Sequence, residues 1–417
     1  MNKLKVWFFH SEDSAVGYYR LWQPQEWLNK LGLAEVKRAT QSTKMPFEIT
    51  PGKDSITSVG EWADIFVFQR VDRVEGLAVL EALRAKFNKP VIYEVDDNLF
   101  TIPKTHPQYE VFRQKGADEV FDRIRIKAKD LPLYKGRDIA LVTKLDNDEV
   151  LVAIKKSEDI YRVNEYALST ADAVFTTTEM LAKAYRKFNK NIYVLKNCID
   201  FDLWDSVPAP EPNKNIVIGW AGGGQHRKDL DMIAPAIEQV LIRNPDVEFH
   251  WSNCYAKKLL ALKEKYPGRV KLLDRFSIND WHKGYKGWGF DIALAPIQNI
   301  EFDRCKSNLK WLENSACKIP TVASPVTPYM CIKHGETGFL ANETKEWVDC
   351  IETLIKDPTL RRRIGQAAYD EVKRDYNAKD NAKNYAKALT EVHRNYIPKP
   401  LESSNDGSMG LTCEAVA

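Results

Sequence analysis

Short apolar runs alternate with helix-length amphipathic segments through the first half of the chain. The run from Leu4 to Phe9 predicts a first strand, and a helix is predicted from about Tyr18 to Lys30. The same order recurs in WADIFVFQ with VEGLAVLEALRAKF, in KPVIYEVDD, and in ADAVFTTTEMLAKAYRKF, where Thr176 and Glu179 predict a capping box. Such alternation predicts a parallel sheet with helices on both faces.

Between Thr101 and about Tyr161 this alternation breaks. The segment is rich in Lys, Asp and Arg, and its pieces DIALVTKL and EVLVAIKK are predicted to pair as a hairpin. We interpret it as an insertion on the first domain. It is either a solvated decoration or an element that binds a second substrate.

A second α/β series follows the proline-rich hinge PAPEPNKN, from Pro208 to Asn215. NIVIGW, VEFHW, GRVKLL, FDIALAP and IPTVASP are predicted strands, and SNLKWLENSAC is a predicted helix. The end, from Glu343 to about Tyr396, is predicted to be almost continuously helical, and PLESSNDGSMGLTCEAVA a disordered tail. Two Rossmann-like halves would point their loops into a shared cleft.

Length and composition fit this picture of two domains. A chain of 417 residues exceeds one typical core, and its 44% hydrophobic and 29% charged residues are those of a soluble globular protein. The net charge of +3 is too mild to argue for nucleic acid binding by itself. No apolar run is long enough to span a membrane, the start MNKLKVWFFH is too short in apolar residues for a signal peptide, and the seven cysteines are scattered. We therefore expect a cytoplasmic protein with reduced thiols.

A glycine loop directly follows the first strand of the second series. Gly222, Gly223 and Gly224 would let backbone N–H groups approach a phosphate, and the basic residues His226, Arg227 and Lys228 come next. An ordinary strand-to-helix turn with exposed basic residues is the alternative. The spacing G-x-G-x-x-G is absent, so this is not a dinucleotide fingerprint.

The segment FDRCKSNLKWLENSACKIPTVASP is the most specific pattern in the chain. Ser307 is predicted to cap the following helix, which would aim a positive helix end, beside Lys306, at an anion. Lys306, Lys310 and Glu313 share one helix face, and about 10 Å separates a phosphate at its start from the carboxylate. That separation matches a diphosphate and its ribose. A surface helix with favourable charge pairs is the alternative.

At this point the second half resembles the nucleotide-binding domain of retaining GT-B glycosyltransferases of the family-4-like group, glycosyl transferases group 1. VLKNCIDFDLW resembles the hinge segment of the family, and AGGGQHRKDLDMI stands where its glycine loop and Arg/Lys pair hold the donor diphosphate. KSNLKWLENSACKIPTVAS matches the helix and strand with the family glutamate, and HGETGFLANETKEWVDCIETLIKDPTLRRRIGQAAYDEVKRDYN resembles the closing segment. GYYRLWQP, WADIFVFQR and KPVIYEVDDNLF carry a weaker resemblance in the first half.

The resemblance implies a GT-B fold, in which two Rossmann-like domains face a central cleft and C-terminal helices cross back to the first domain. We expect an acceptor-side domain over 1–195, a nucleotide-sugar-binding domain over 196–376, a returning helix over 377–397 and a tail over 398–417. The implied reaction moves a sugar from a nucleotide-diphosphate donor, with a UDP-sugar favoured, to an acceptor hydroxyl with retention. It needs no metal and no further cofactor.

The resemblance also implies roles for individual residues. Arg227 and Lys228 would neutralise the diphosphate and are expected to be catalytic, and Glu313 would hold the ribose. The remaining donor-binding residues are expected to be Gly222, Gly223, Gly224, Lys306, Ser307 and Lys310. The family usually has another glutamate eight positions before Glu313, but Cys305 stands there, and Asp303 or Glu301 could replace it.

Two first-domain segments complete the expected site. Asp96 and Asp97 end a strand, and with His106 they could bind the acceptor hydroxyl or take its proton; we expect Asp97 and His106 to be catalytic. Turn formation by the aspartates is the alternative, and a metal site of the GT-A type is rejected because the nucleotide motifs lie in the second half. Gly17 is predicted to give a tight turn before a helix whose Tyr18, Tyr19 and Arg20 could reach the donor phosphates or the acceptor, and we expect Gly17 and Arg20 to bind the donor. Packing in the core and at the rim is the alternative.

The acceptor is expected to be a glycan or a lipid-linked saccharide, which would place the enzyme in the cytoplasm or at a membrane surface. One alternative is glycosylation of modified, hydroxylated bases in DNA, of the viral type and then in the host cytoplasm. It rests on basic residues interleaved with aromatic ones, namely Arg20, Arg70, Arg73, Tyr109, Phe112, Lys115, Arg123, Arg125, Lys127, Lys129, Tyr134, Lys135 and Arg137. Others are a sugar-nucleotide epimerase or hydrolase, and an inactive binding homologue that lacks the first glutamate.

Overall fold

The computed structural model describes residues 3–10, 14–38, 56–71, 74–104, 106, 121–127, 139–144 and 149–398. The strands of the first half are β1 (Lys5–Phe9), β2 (Glu35–Arg38), β3 (Ile65–Gln69), β4 (Val91–Glu94), β5 (Phe121–Lys127), β6 (Ile139–Lys144), β7 (Glu149–Lys155), β8 (Ala173–Thr176) and β9 (Ile192–Val194). Its helices are α1 (Ala15–Gly17), a π-helical turn (Tyr18–Trp22), α2 (Gln23–Lys30), α3 (Ile56–Trp62), α4 (Val74–Phe87), α5 (Lys156–Thr170) and α6 (Glu179–Tyr185).

The first domain is a parallel sheet of six strands in the order β2-β1-β3-β4-β8-β9. Every residue of β3, β4 and β8 is buried, because helices cover both faces of the sheet. Continuous apolar runs such as IFVFQ and VIYE are typical of such doubly covered strands. The predicted parallel α/β architecture is confirmed; the short elements β2, β9 and α3 were not predicted.

The insertion forms an antiparallel sheet in the order β5-β7-β6. Strands β6 and β7 pair with Val142 opposite Val152, which confirms the predicted hairpin, and β5 adds a third strand that was not predicted. Strands β4 and β8 are neighbours in the parallel sheet although the chain between them runs through the insertion. The insertion is therefore attached at the carboxyl end of β4, where Asp96 and Asp97 lie.

Two local predictions in the first domain are wrong. The first helix begins at Ala15, capped by Ser14, so Gly17 lies inside it with a helical φ of −58° and makes no tight turn. Helix α6 is capped by Thr178, whose hydroxyl accepts from the Leu181 N–H. Thr176 instead ends β8, where its carbonyl accepts from the Leu195 N–H, so no capping box forms.

The second domain repeats the architecture with a parallel sheet of six strands in the order β12-β11-β10-β13-β14-β15. Its strands are β10 (Ile216–Ala221), β11 (Val247–Ser252), β12 (Val270–Leu273), β13 (Ile292–Ala295), β14 (Thr321–Ala323) and β15 (Phe339–Leu340). Its helices are α7 (Phe201–Trp204), α8 (Arg227–Arg243), α9 (Lys257–Lys265), α10 (Trp281–Gly287), α11 (Glu301–Arg304), α12 (Leu309–Ala316), α13 (Thr344–Lys356), α14 (Pro358–Asp375) and α15 (Ala378–Asn395). The predicted strands and the helical end are confirmed.

The last helix, α15, crosses back to the first domain. Its buried Tyr385 and Leu389 pack in one cluster with Leu21 and Leu28, and the Tyr385 hydroxyl donates to the Arg20 carbonyl oxygen at 3.2 Å. The chain therefore joins the two domains twice, between β9 and α7 and again at its last described helix. The predicted hinge from Pro208 to Asn215 lies within the second domain, because Phe201 and Trp204 before it already pack in the core of that domain. Among the described residues, no helix is long and apolar enough to cross a membrane.

Candidate active site

A cavity of about 610 Å³ lies between the two domains. The first domain contributes α1, the π-helical turn and the segments after β3 and β4, and the second contributes the glycine loop, the segments after β11 and β12, and the start of α12. These segments follow the carboxyl ends of parallel strands, which is where ligands bind in open α/β sheets. The predicted residues that line it are Arg20, Asp97, His106, Gly222, Gly223, Gly224, Arg227, Lys306, Ser307, Lys310 and Glu313.

The glycine loop lies directly after β10 and is packed against Lys310. A Cβ atom on Gly222 would stand 2.1 Å from the Lys310 Nζ atom, so only glycine fits there without displacing that side chain. Lys310 Nζ donates to the Ala221 carbonyl oxygen at 2.8 Å and lies over the Trp220 ring. Burial lowers the pKa of Lys310 to about 8.

Arg227 and Lys228 begin helix α8 and are both exposed. Arg227 lines the cavity, and its Nε donates to the Gly224 carbonyl oxygen at 3.2 Å. Lys228 lines an adjoining recess of about 10 Å³. The recess is surrounded by Pro103, His106, Gln225, His226, Lys228, Asp229, Gln298, Phe302, Asp303 and Lys306. The two basic residues therefore face neighbouring parts of the same site.

Glu313 lies on α12 with only 4% of its surface exposed. Its Oε1 atom accepts from the Tyr19 hydroxyl and from the Trp281 Nε1 atom, both at 2.8 Å. Burial raises the pKa of Glu313, while Lys310 acts in the opposite direction. Tyr19 comes from the first domain, so residues of both domains hold this carboxylate in place.

The predicted cap at Ser307 is wrong. Helix α12 begins at Leu309 with Asn308 in the cap position, and no side chain caps it. The Ser307 hydroxyl is engaged instead by Asn197, whose Nδ2 atom donates to it at 2.9 Å. Ser307 still lines the cavity, but it joins the second domain to the segment after β9 rather than starting a helix.

Lys306 forms an ion pair across the domains with Asp97, at 3.0 Å between Nζ and Oδ1. Burial alone would raise the pKa of Asp97, yet the pKa is lowered because Lys306 and Arg70 are close. Burial and the charge of Asp97 raise the pKa of the neighbouring Asp96 to about 7. The Oδ1 atom of Asp96 is buried without a hydrogen-bond partner in the described part of the chain.

His106 lies half-buried where the cavity meets the recess. Its ring packs edge-on to Phe302, with 5.4 Å between centroids. Burial and the nearby Lys306 lower the pKa of His106 to about 4, so the ring is neutral near pH 7. A neutral imidazole can accept a proton or a hydrogen bond, which the predicted catalytic role requires.

Arg20 lines the cavity, but its guanidinium is engaged within the protein. Its Nε donates to Glu94 at 2.6 Å, and its remaining nitrogens donate to the Leu195 and Thr176 carbonyl oxygens and to the Asn197 side chain. Arg20 is 1% exposed. The structure therefore supports the core role that was the alternative for this residue. Gly17 is not among the residues that line the cavity.

The position of the missing glutamate faces away from the cavity. Cys305 is 2% exposed, packs in the first-domain core, and accepts a hydrogen bond from Asn98 at its Sγ atom. Of the two possible replacements, Asp303 is buried and lines the recess, whereas Glu301 is exposed at the start of α11. Burial raises the pKa of Asp303 to about 7.

Sequence reasoning misses Trp281, which no motif marks, and assigns other roles to Tyr19 and His226. Tyr19 is predicted to reach a ligand, but its hydroxyl donates to Glu313, which also accepts from Trp281. His226 was counted as a cation, yet burial lowers its pKa to about 4. Its contact with Asp229 follows the spacing H-x-x-D at a helix start, which could have revealed the pair.

The part of the second domain that lines this cavity is similar to a known protein family. Residues 215–357, which hold the glycine loop, Lys306 and Glu313, match the family model described as Glycosyl transferases group 1. The chain is a glycosyltransferase. A search of curated proteins found no match.

Solved structures similar to this glycosyltransferase share its fold at low identity. A glycosyltransferase from Rickettsia africae is 14% identical, with a TM-score of 0.59 over 95% of this chain and 100% of that chain. Anabaena HepE in complex with UDP and glucose is 14% identical, with a TM-score of 0.59 over 93% of this chain and 100% of that chain. A sucrose-phosphate synthase from Thermosynechococcus elongatus is 13% identical, with a TM-score of 0.58 over 94% of this chain and 100% of that chain. The glycosyltransferase therefore has the GT-B fold.

Proposed function

We propose that this glycosyltransferase takes its sugar from a UDP-sugar. The observation that carries the proposal is one cavity in which the glycine loop, the half-buried Lys306 and Lys310, and the Glu313 carboxylate meet. Anabaena HepE, of the same fold, was solved with UDP and with UDP-glucose. A nucleoside diphosphate offers the matching groups, an anionic diphosphate and two ribose hydroxyls.

In this proposal Glu313 accepts hydrogen bonds from the ribose. Both bonds that its carboxylate takes from described residues end on Oε1, which leaves Oε2 to accept from a ligand. The diphosphate would lie on the glycine loop, whose backbone N–H groups can approach an anion closely. Lys306, Arg227 and Lys228 would supply positive charge around it.

We propose transfer with retention and without a metal ion. As the donor breaks down, negative charge grows on the departing diphosphate, and fixed cations in the cavity stabilise that charge. In this proposal Lys228 and Arg227, at the start of α8, would provide this stabilisation. The acceptor hydroxyl would enter on the face that the diphosphate leaves and pass its proton toward it.

The acceptor would bind against the first domain, where Asp97 and His106 line the cavity. We propose a glycan or a lipid-linked saccharide, whose hydroxyls these side chains can orient. The DNA alternative rests mainly on insertion residues that lie outside the described side chains. We propose the cytoplasm as the compartment, since the six cysteines in the described part of the chain are free thiols.

Donor turnover tests the proposal. Thermal shift with UDP, GDP and their sugar conjugates identifies the nucleotide, because a ligand at 100 times its Kd stabilises by about 2.7 kcal/mol. Release of the nucleoside diphosphate that depends on an added saccharide supports a transferase. Release or isomerisation without any acceptor supports the hydrolase or epimerase, binding without turnover supports an inactive homologue, and salt-sensitive DNA binding supports the DNA alternative.

A further inference from the structure

A buried histidine–aspartate pair lies beside the glycine loop. His226 ends the short turn after the loop, directly before α8, and is 8% exposed. Its Nδ1 atom is 2.7 Å from the Asp229 Oδ2 atom. The ring packs edge-on to Trp220, with 5.7 Å between centroids, so its orientation is fixed on two sides.

The partners of Asp229 determine which ring nitrogen of His226 carries the proton. Asp229 is 3% exposed, and its Oδ1 atom accepts from the Gln298 backbone N–H at 3.1 Å and from the Gln298 side-chain Nε2 at 3.2 Å. The oxygens of a carboxylate accept hydrogen bonds, as Oδ1 does from Gln298. The contact at Oδ2 therefore requires a hydrogen on Nδ1 of His226.

The other ring nitrogen, Nε2, is then a hydrogen-bond acceptor. Burial and the charge of Lys310 lower the pKa of His226 to about 4 although Asp229 opposes this, so the ring is neutral near pH 7. The contact with Asp229 is the one hydrogen bond that the ring makes to the described part of the chain. His226 lines both the cavity and the recess, so Nε2 is available to a ligand there.

We propose that His226 binds a hydroxyl of the transferred sugar through Nε2, and that Asp229 is a positioning residue that fixes the tautomer. The proposal rests on the proposed function. His226 stands between the glycine loop, where the diphosphate would lie, and the recess that holds Asp303. The Nε2 atom of His226 and the carboxylate of Asp303 can both accept hydrogen bonds in this recess, and a sugar offers several hydroxyl donors. The pair would supply part of the sugar contact that Cys305 cannot make.

Asp229→Asn is a sharp test because it changes one hydrogen-bonding direction and almost no volume. The asparagine oxygen can keep both bonds from Gln298, which leaves its NH₂ group facing His226. Nδ1 must then accept, so the proton moves to Nε2, and the acceptor offered to the sugar becomes a donor. His226→Phe removes both ring nitrogens and keeps a ring against Trp220.

The tautomer can be measured without any ligand by ¹⁵N NMR of labelled histidine, with His226 assigned by comparison with His226→Phe. We expect the wild-type ring at pH 7 to show a protonated Nδ1 and a bare Nε2, and Asp229→Asn to show the reverse. A protonated Nε2 in the wild-type protein overturns the proposal.

Calorimetry with UDP and UDP-glucose then separates sugar binding from nucleotide binding, and GDP with GDP-mannose serves as a second pair. We expect Asp229→Asn and His226→Phe to weaken UDP-glucose binding roughly tenfold and UDP binding by less than about twofold. Glu248→Gln is the matched control, because Glu248 contacts His250 at 2.8 Å outside the cavity, and it should change neither affinity.

The outcomes separate this proposal from the proposed function. Equal weakening of UDP and UDP-glucose binding, or no weakening of either, overturns the sugar-binding role while nucleotide binding stands. Failure of the wild-type protein to bind any nucleotide or nucleotide-sugar overturns the proposed function, and this inference with it.

Discussion

Replacing Glu313 by glutamine directly tests the proposed contact between this carboxylate and the ribose of the donor. The amide has nearly the shape of the carboxylate, and its oxygen can keep the bonds from the Tyr19 hydroxyl and Trp281 Nε1, both 2.8 Å long. An NH₂ group then replaces the Oε2 atom that we assign to the ribose. The change therefore removes a charge and an acceptor while it leaves the surrounding contacts in place.

The expected loss follows from the burial of this side chain. With 4% of Glu313 exposed, water cannot replace the lost contact, so a hydrogen bond to a charged group should cost about 1.5–3 kcal/mol of binding free energy. This corresponds to roughly a 10- to 150-fold increase in the Kd of UDP. The fold should not suffer: since burial raises the pKa of Glu313, its ionised form costs stability at neutral pH, and the neutral amide does not.

Calorimetric titration of UDP and 2′-deoxy-UDP into wild-type and Glu313→Gln protein measures the coupling between carboxylate and ribose. Because the deoxy nucleotide lacks one hydroxyl, the variant should lose less affinity for it, about 0.5–1.5 kcal/mol. Glu264→Gln, at an exposed position on α9 away from the cavity, should leave both affinities unchanged. The same loss for UDP and 2′-deoxy-UDP would refute the placement of the ribose at Glu313.

Three further predictions concern Lys228, the need for a metal ion, and Arg20. Lys228→Ala should lower kcat roughly a hundredfold and the donor affinity much less, since the diphosphate charge grows in the transition state; equal losses in both would make Lys228 a simple anchor. Activity should survive dialysis against EDTA, and strict dependence on added Mn²⁺ would contradict the metal-free proposal. Arg20→Ala should lower the free energy of unfolding in urea by about 3–5 kcal/mol, because the buried Glu94 loses its ionic partner; normal stability with weak UDP binding would instead restore the donor-binding role.

Strand positions were predictable because buried parallel strands leave continuous apolar runs. IFVFQ and IVIGWA are such runs, and both became central strands. The edge strand β2 was missed, since only Val36 of its four residues is buried and the pattern is too short to recognise. The caps at Ser307 and Thr176 were misplaced by one or two residues. Asn197 donates to the Ser307 hydroxyl, and Thr176 still belongs to β8, where its carbonyl oxygen accepts from the Leu195 N–H.

Site residues were predictable where one segment holds them together. The glycine loop and the face with Lys310 and Glu313 are local patterns, and the structure places them in one cavity. The contacts of Tyr19 and Arg20 were not foreseeable, because their partners lie hundreds of positions away along the chain or depend on how the strands are ordered in the sheet. No local sequence pattern reveals such pairs, because the two residues come into contact only when the chain is folded.

The bond between Tyr19 and Glu313 makes the proposed nucleotide pocket depend on residues of both domains. A chimera in which only the first domain is exchanged would have to assume that each domain binds its own substrate independently. Here the first domain, which we propose to bind the acceptor, also supplies the hydroxyl that orients the Glu313 carboxylate, and α15 anchors the chain end on that same domain. A new first domain therefore needs a tyrosine at the position of Tyr19 and a surface that packs against α15. A hybrid that lacks either should bind the donor more weakly, even if it accepts a new acceptor.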